Sequence, residues 1–437
     1  MDFVGEYDSA AAEGPARQGA LLGQWLTTDR RAFYAQLCAE RPILVTPFGV
    51  FVTRFADVTE VLSRTEVFTV RAYAPMMDVV LDGPFILSRD GTQHWAERGV
   101  AQAVLLPQDA QHVRELVGVL ADAALDGLTE EARSRSADRI DVVRAFARRI
   151  PLQICGAYLG FPGPDEESMT RWSQASQIAI FRNPRQDPEV NATAAAAGNE
   201  MRAYLAGLVA ERRASLQDQP DAAPRDILGR LLRLRPPAEL SFDDRRVATN
   251  LAGMLIGYLE NTAQSVVQVV EQLMLRPGVR RAAEEAAVTD LALFDRYVWE
   301  ALRFNPFAAY VFRLCEETYT LAAGTPRETV IPAGTVVMAC HPAAMSDPEV
   351  APEPEVFRTD RPAFANLHFG HGAHDCVGGY LGAATIAEMV RRVMLRPELQ
   401  LLPPPDGAID FSGTAFPTRF VLAIGPSPDQ RQREATQ

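Results

Sequence analysis

The stretch DDRRVATNLAGMLIGYLENTAQSVVQVVEQLM, Asp243 to Met274, contains no proline and is apolar on nearly every side. A helix of this kind has no polar face to turn to water, so other elements must enclose it. The chain is long enough to build that enclosure: 437 residues, 47% of them apolar. Helical spacing of apolar residues recurs around it, in VRELVGVLADAALDGL, VVRAFARRIPLQICGAYLG and ESMTRWSQASQIAIF. RNPRQDPE, Arg182 to Glu189, is the clearest interior break and joins two long helices.

Short strands occur at the two ends. PILVTPFGVFVTRF, Pro42 to Phe55, alternates around a Pro-Phe-Gly turn and predicts a β-hairpin. AAYVFRLCEETYTLAAG, TVIPAGTVVMAC and RFVLAIG predict further strands after Arg303. The fold class is thus mainly α with a small β region. There is no internal repeat and no linker long or polar enough to part independent domains. We expect a polar, partly disordered segment over 1–22, a single domain over 23–425 and a disordered tail over 426–437.

Composition excludes several functions. A net charge of -13 repels polyanions, so no nucleic-acid partner is expected. Lysine is absent, which removes a Walker-type phosphate loop and a lysine Schiff base. The cysteines Cys38, Cys155, Cys315, Cys340 and Cys376 are odd in number and scattered, which fits a reducing compartment and no disulfide framework. The first residues show no signal pattern and no apolar run is long enough to span a bilayer, so the expectation is a cytoplasmic protein without a membrane anchor.

The densest chemistry lies in NLHFGHGAHDCVGGYLGAA, Asn366 to Ala384, which holds His368, His371, His374 and Cys376. A zinc site is one use of such ligands, but Gly370 and Gly372 interrupt any helix that would align the histidines, and no second cluster completes the set. The alternative is a loop that presents a single sulfur. Phe369-Gly370-His371-Gly372-Ala373-His374-Asp375-Cys376-Val377-Gly378 fits F-G-x-G-x-H-x-C-x-G, and in this the chain resembles the cytochrome P450 superfamily.

The resemblance implies the P450 fold, with haem b held between the central helix and the helix after the cysteine loop. It makes Cys376 the axial thiolate of the iron. Phe369, Gly370 and Gly378 would shape the loop, and His374 would donate to a haem propionate. His94 and Arg98, in DGTQHWAERGV, resemble the H-x-x-x-R pair that reaches the propionates, and Arg313 in YVFRLCEET would be a further partner. Glu300 and Arg303, in YVWEALRFNPF, match E-x-x-R, and Arg361 is the candidate for the third member of a structural Glu-Arg-Arg network.

The match departs from the family in the central helix. Glu260 fills the acid position, but Asn261 stands where threonine is usual, with Thr262 one step on, and Tyr258 replaces a small residue. One residue of shift is about 100° of rotation, so Thr262 does not substitute. Asn261 can hold a water but has no hydroxyl to relay a proton. Tyr258 either narrows the pocket or turns away into the core. With the family as guide, Arg71, Leu255, Tyr258, Phe307, Tyr310 and Phe416 are candidates for an apolar substrate pocket. The implied activity is a monooxygenase, expected to be monomeric, that uses O2 and electrons from a separate ferredoxin-type protein to hydroxylate or epoxidise an apolar small molecule. The alternative is a peroxide-driven or non-inserting enzyme, given Asn261 and Tyr258.

Overall fold

The computed structural model describes residues 1–183, 186–218 and 223–425. Pro184 and Arg185, in the interior break, and the tail expected to be disordered lie outside the described residues. On either side of that break the helices Glu166–Phe181 and Pro188–Asp218 form as predicted. The described chain divides into two compact units. Distant segments of chain gather on a sheet in the first unit, and the remainder gathers on the central helix in the second.

The first unit combines Met1–Pro75, Ile86–Trp95 and Pro306–Cys376. Its hairpin pairs Ile43 with Val52 and Thr46 with Gly49. The strand Gly49–Val52 then pairs in parallel with Val336–Ala339, which lies antiparallel to Val311–Cys315. Strands from opposite ends of the sequence thus share one sheet. The buried faces of Val50, Val52, Val337 and Ala339 join Val58, Val61 and Phe68 in one core, which removes the sheet's apolar side from water.

The N-terminal segment is folded rather than partly disordered. Helices Phe3–Ser9 and Pro15–Thr28 bury Phe3, Tyr7, Leu21, Leu22 and Trp25 against Phe33. The Phe3 ring stands edge-on to Trp25 at 5.3 Å. Its polar composition concealed a few large aromatic anchors at helical spacing, and these are enough to fix it.

The second unit is built on the helix Asp244–Met274. Asp243 caps it, accepting a hydrogen bond from the Arg246 amide, and its central turns are buried on almost every side. The segment before Gly160 forms a short helix, Arg149–Ile154, flanked by wide π-turns over Val143–Arg148 and Cys155–Leu159. A three-stranded sheet of Arg139–Asp141, Val421–Ile424 and Leu399–Leu401 completes this unit. Among the described residues, no helix is long and apolar enough to cross a membrane.

One buried titratable group gives the first unit a pH dependence. His341 opens the helix His341–Ala344, its Nδ1 has no partner, and burial pushes its pKa down to about 3. The unfolded chain takes up this proton near about 6.5. The ring therefore contributes stability above that pH, which is lost as the pH falls toward the folded value. In urea unfolding, His341→Leu should lose less stability than the parent between about pH 7 and about pH 5. Parallel losses would show that another group titrates.

Candidate functional site

The cysteine loop owes its path to two backbone constraints. Gly370 and Gly372 take φ of 82° and 75°, a region that side chains disfavour. A Cβ on Gly372 would also stand 2.6 Å from the Leu62 carbonyl oxygen. The chain turns back so that the Cys376 amide donates to the Phe369 carbonyl at 2.7 Å, and the Asp375 amide donates to that of Gly372 at 3.1 Å. Cys376 is thereby exposed while the other four cysteines are buried. Burial pushes the Cys38 thiol up to about 11 and those of Cys155 and Cys340 to about 12, which leaves them inert near neutrality. Gly378 then begins the helix Gly379–Met394.

Basic groups gather beside this loop within the first unit. His374 Nε2 lies 3.0 Å from Asp90 Oδ1, and its ring is 4.0 Å from that of His94. His94 Nε2 faces the Ala373 carbonyl at 2.9 Å and Nδ1 faces that of Ile86 at 3.1 Å, so in this structure it braces the loop. Arg313 is 4% exposed, donates through Nη1 to the Phe312 carbonyl, and has no carboxylate at ion-pair distance among the described residues. Burial lowers the pKa of both Arg313 and His374, and for His374 the charges of His94 and Arg313 lower it further while Asp90 opposes them. Arg313 Nε and His374 Nδ1 are buried without a partner.

A buried guanidinium without a carboxylate is costly. An anionic group would complete the cluster, and the carboxylates of a haem beside an exposed thiol fit it. Arg98 is buried one helical turn beyond His94 on the helix Gly91–Val104. Among the described residues, no group of three or more His, Cys, Asp or Glu is arranged to hold a bare metal ion.

In the second unit, Glu260 is 0% exposed and bound by Arg148, Nε to Oε1 at 2.7 Å and Nη2 to Oε2 at 3.1 Å. Arg148 also donates to the Pro417 carbonyl, and Gln174 donates to Glu260 Oε1 at 3.1 Å. Asn261 Nδ2 donates to the Gly257 carbonyl at 2.9 Å, and its Oδ1 accepts from Gln177 at 3.1 Å. Its amide is engaged at both ends by protein. Thr262 is buried on another side of the helix.

Tyr258, a candidate for the pocket, turns into the core, the second of its two expected orientations. It is buried, and its hydroxyl lies 2.9 Å from that of Thr385 on the helix Gly379–Met394. Gly257 is instead the one exposed position between Val247 and Val270, flanked on the same face by half-buried Met254 and Asn261. A Cβ on Gly257 would meet nothing within 4 Å. One turn earlier, a Cβ on Gly253 would collide with the Phe85 ring.

The remaining candidates are divided between the two units. Glu300 and Arg303 form a buried bidentate pair with both bonds at 2.8 Å, and Arg361 donates to the carbonyls of Pro352, Glu353 and Val356. Arg71 is exposed and paired with Glu316 at 2.7 Å. Tyr310 packs edge-on against Phe51, Phe307 is half-buried and Leu255 is fully buried. Phe416 is buried with the Arg182 guanidinium 5.2 Å from its ring. Sequence reasoning missed Arg148, Gln174 and Gln177. The only local sign was the pair of glutamines three apart in SQASQ, which places them on one helical face.

A family model described as Cytochrome P450 matches residues 49–413. Relatives include the cytochrome P450 monooxygenase PikC of Streptomyces venezuelae, 28% identical over 92% of this chain and 90% of that protein. The vitamin D(3) 25-hydroxylase of Pseudonocardia autotrophica is 27% identical over 84% of this chain and 86% of that one. Among solved structures, cytochrome P450 CYP109Q5 from Chondromyces apiculatus shares the fold, with a TM-score of 0.74 at 21% identity over 92% of this chain and 97% of that one.

Removing one member of a buried ion pair costs about 3–5 kcal/mol. Glu300→Ala should therefore yield protein with little haem, read as the ratio of haem absorbance to protein after expression with ample haem. A normally loaded variant would remove Glu300 from the structural role given to it.

Proposed function

The chain belongs to the cytochrome P450 family, whose cofactor is haem b, and from that premise we propose that it hydroxylates or epoxidises an apolar small molecule with electrons from a separate ferredoxin-type protein. A lipid, terpenoid or aromatic natural product is the substrate class. The observation that carries this reading is the exposed Cys376 beside a buried basic cluster in which Arg313 Nε and His374 Nδ1 lack partners. The hydroxylase and monooxygenase names of the two relatives support it.

Haem b would be held through the Cys376 thiolate and would supply an iron that activates O2. The chain's own part is to hold and to protect. Arg313 and His374 would offer their unpartnered nitrogens to the propionates, with His94 beside them. The glycine turns hold the sulfur at a fixed backbone position. Glu260 is the group that takes up or releases a proton, and it can do so only by leaving Arg148. The open face at Gly257 is the stretch of the central helix that a substrate can approach.

Asn261 favours a second reading. Its amide has no hydroxyl to relay through and is bound at both ends, so no proton path is assembled at that position. A peroxide-driven or non-inserting oxidase needs no such path. Turnover with ferredoxin and its reductase, set against turnover with hydrogen peroxide alone, separates the two readings.

Two substitutions test the assignments. Cys376→Ser should abolish the red-shifted Soret band of the reduced, carbonylated protein; if the band survives, the ligand is another residue. Asn261→Thr restores a hydroxyl and should raise the fraction of reducing equivalents that reach product, measured as product formed per nicotinamide oxidised. An unchanged fraction would remove Asn261 from proton delivery.

A further inference from the structure

Two glutamines grip the central helix from one side. Gln174 and Gln177 lie one turn apart on the helix Glu166–Phe181 and bind neighbouring residues of the helix opposite. Gln174 Nε2 donates to Glu260, while Gln177 Nε2 donates both to Asn261 Oδ1 and to the Ile256 carbonyl. Gln177 is buried, and its two amide hydrogens are both used. Asn261 in turn donates to the Gly257 carbonyl. Its carboxamide therefore cannot rotate without losing a bond at one end. It also stands on the open face of the helix, beside exposed Gly257, where a released amide would have room to swing.

We propose that Gln177 is a positioning residue for proton delivery. It pins the Asn261 carboxamide against the Gly257 carbonyl and so keeps the amide, and the water it would admit, away from Glu260. This rests on the reading of Glu260 as the group that takes up or releases a proton. The grip comes from a helix other than the one that carries the acid. Displacement of Glu166–Phe181 by an incoming ligand would loosen Asn261 without touching it.

Gln177→Met tests the clamp, since methionine keeps the length and linearity of the side chain but donates no hydrogen bond. In the haem-loaded enzyme, the fraction of reducing equivalents reaching product should fall about fivefold, the equivalent of one hydrogen bond. The spectral dissociation constant for an apolar ligand should be unchanged, and the unfolding temperature should fall by no more than the loss of buried hydrogen bonds accounts for. Amide hydrogen exchange over residues 255–264, read without turnover, should accelerate. In an Asn261→Thr background the same substitution should have no further effect on coupling, because the clamped amide is already gone.

Faster exchange with unchanged coupling would overturn the proposal, leaving Gln177 a purely structural contact. So would effects of the two substitutions that simply add. Should Asn261→Thr alone leave coupling unchanged, the proton-delivery reading itself falls and the clamp's role falls with it. An effective Asn261→Thr with a silent Gln177→Met sinks the clamp alone.

Discussion

One carboxylate holds the site of the first unit together. Asp90 accepts from the Val70 amide and lies against His374, so it ties the start of the helix Gly91–Val104 to the cysteine loop. His94, one turn along that helix, braces the loop again at the Ala373 carbonyl. With Leu62 closing on Gly372 from the other side, the backbone around Cys376 is fixed at several points. Burial keeps the His374 ring neutral, while the Arg313 guanidinium has no carboxylate at ion-pair distance among the described residues. A buried charge of that kind is tolerated best where a ligand completes it. The arrangement is most favourable with an anionic group present, which couples cofactor binding to the order of the loop.

The second unit shows the opposite economy of charge. Glu260 has no exposure, but it is met by Arg148 in bidentate form and by Gln174. Arginine suits this role because its rigid fork matches a carboxylate, and the chain has no lysine to use instead. Breaking this pair would leave a buried charge without its partner, so the setting of Glu260 depends on the placement of the turn at Val143–Arg148, which carries that arginine.

The local features of this chain were legible in its sequence. The hairpin, the central helix and the cysteine loop each depend on spacing within a short window: a period of two, a period of 3.6, and glycines where φ must be positive. The buried pair Glu300–Arg303 is legible for the same reason. Features that depend on distant partners were not. Nothing in VVRAFARRIP shows that Arg148 meets Glu260, and nothing in SQASQ names the residues its glutamines hold. The N-terminal helices were missed because their stability lies in Phe3, Tyr7 and Trp25 packing on Phe33, a tertiary fact that composition dilutes. His94 looked like a free donor to a ligand, whereas the fold sets a carbonyl at each of its nitrogens.

The two departures in the central helix have different consequences, and helical geometry decides which is which. Residues 257 and 258 point about 100° apart. Because Gly257 is on the open face, a bulky residue at 258 does not fill that space. Tyr258 instead reaches the Thr385 hydroxyl and ties the central helix to the helix that follows the cysteine loop. Its phenol is pushed well above the ordinary range by burial, so it stays a neutral bridge. Position 261 is one turn beyond Gly257 on the same open face, so the exchange of a hydroxyl for an amide falls on that face. A substitution that looks drastic by size is therefore absorbed into the core, while one that nearly preserves size changes the hydrogen bonds the open face makes.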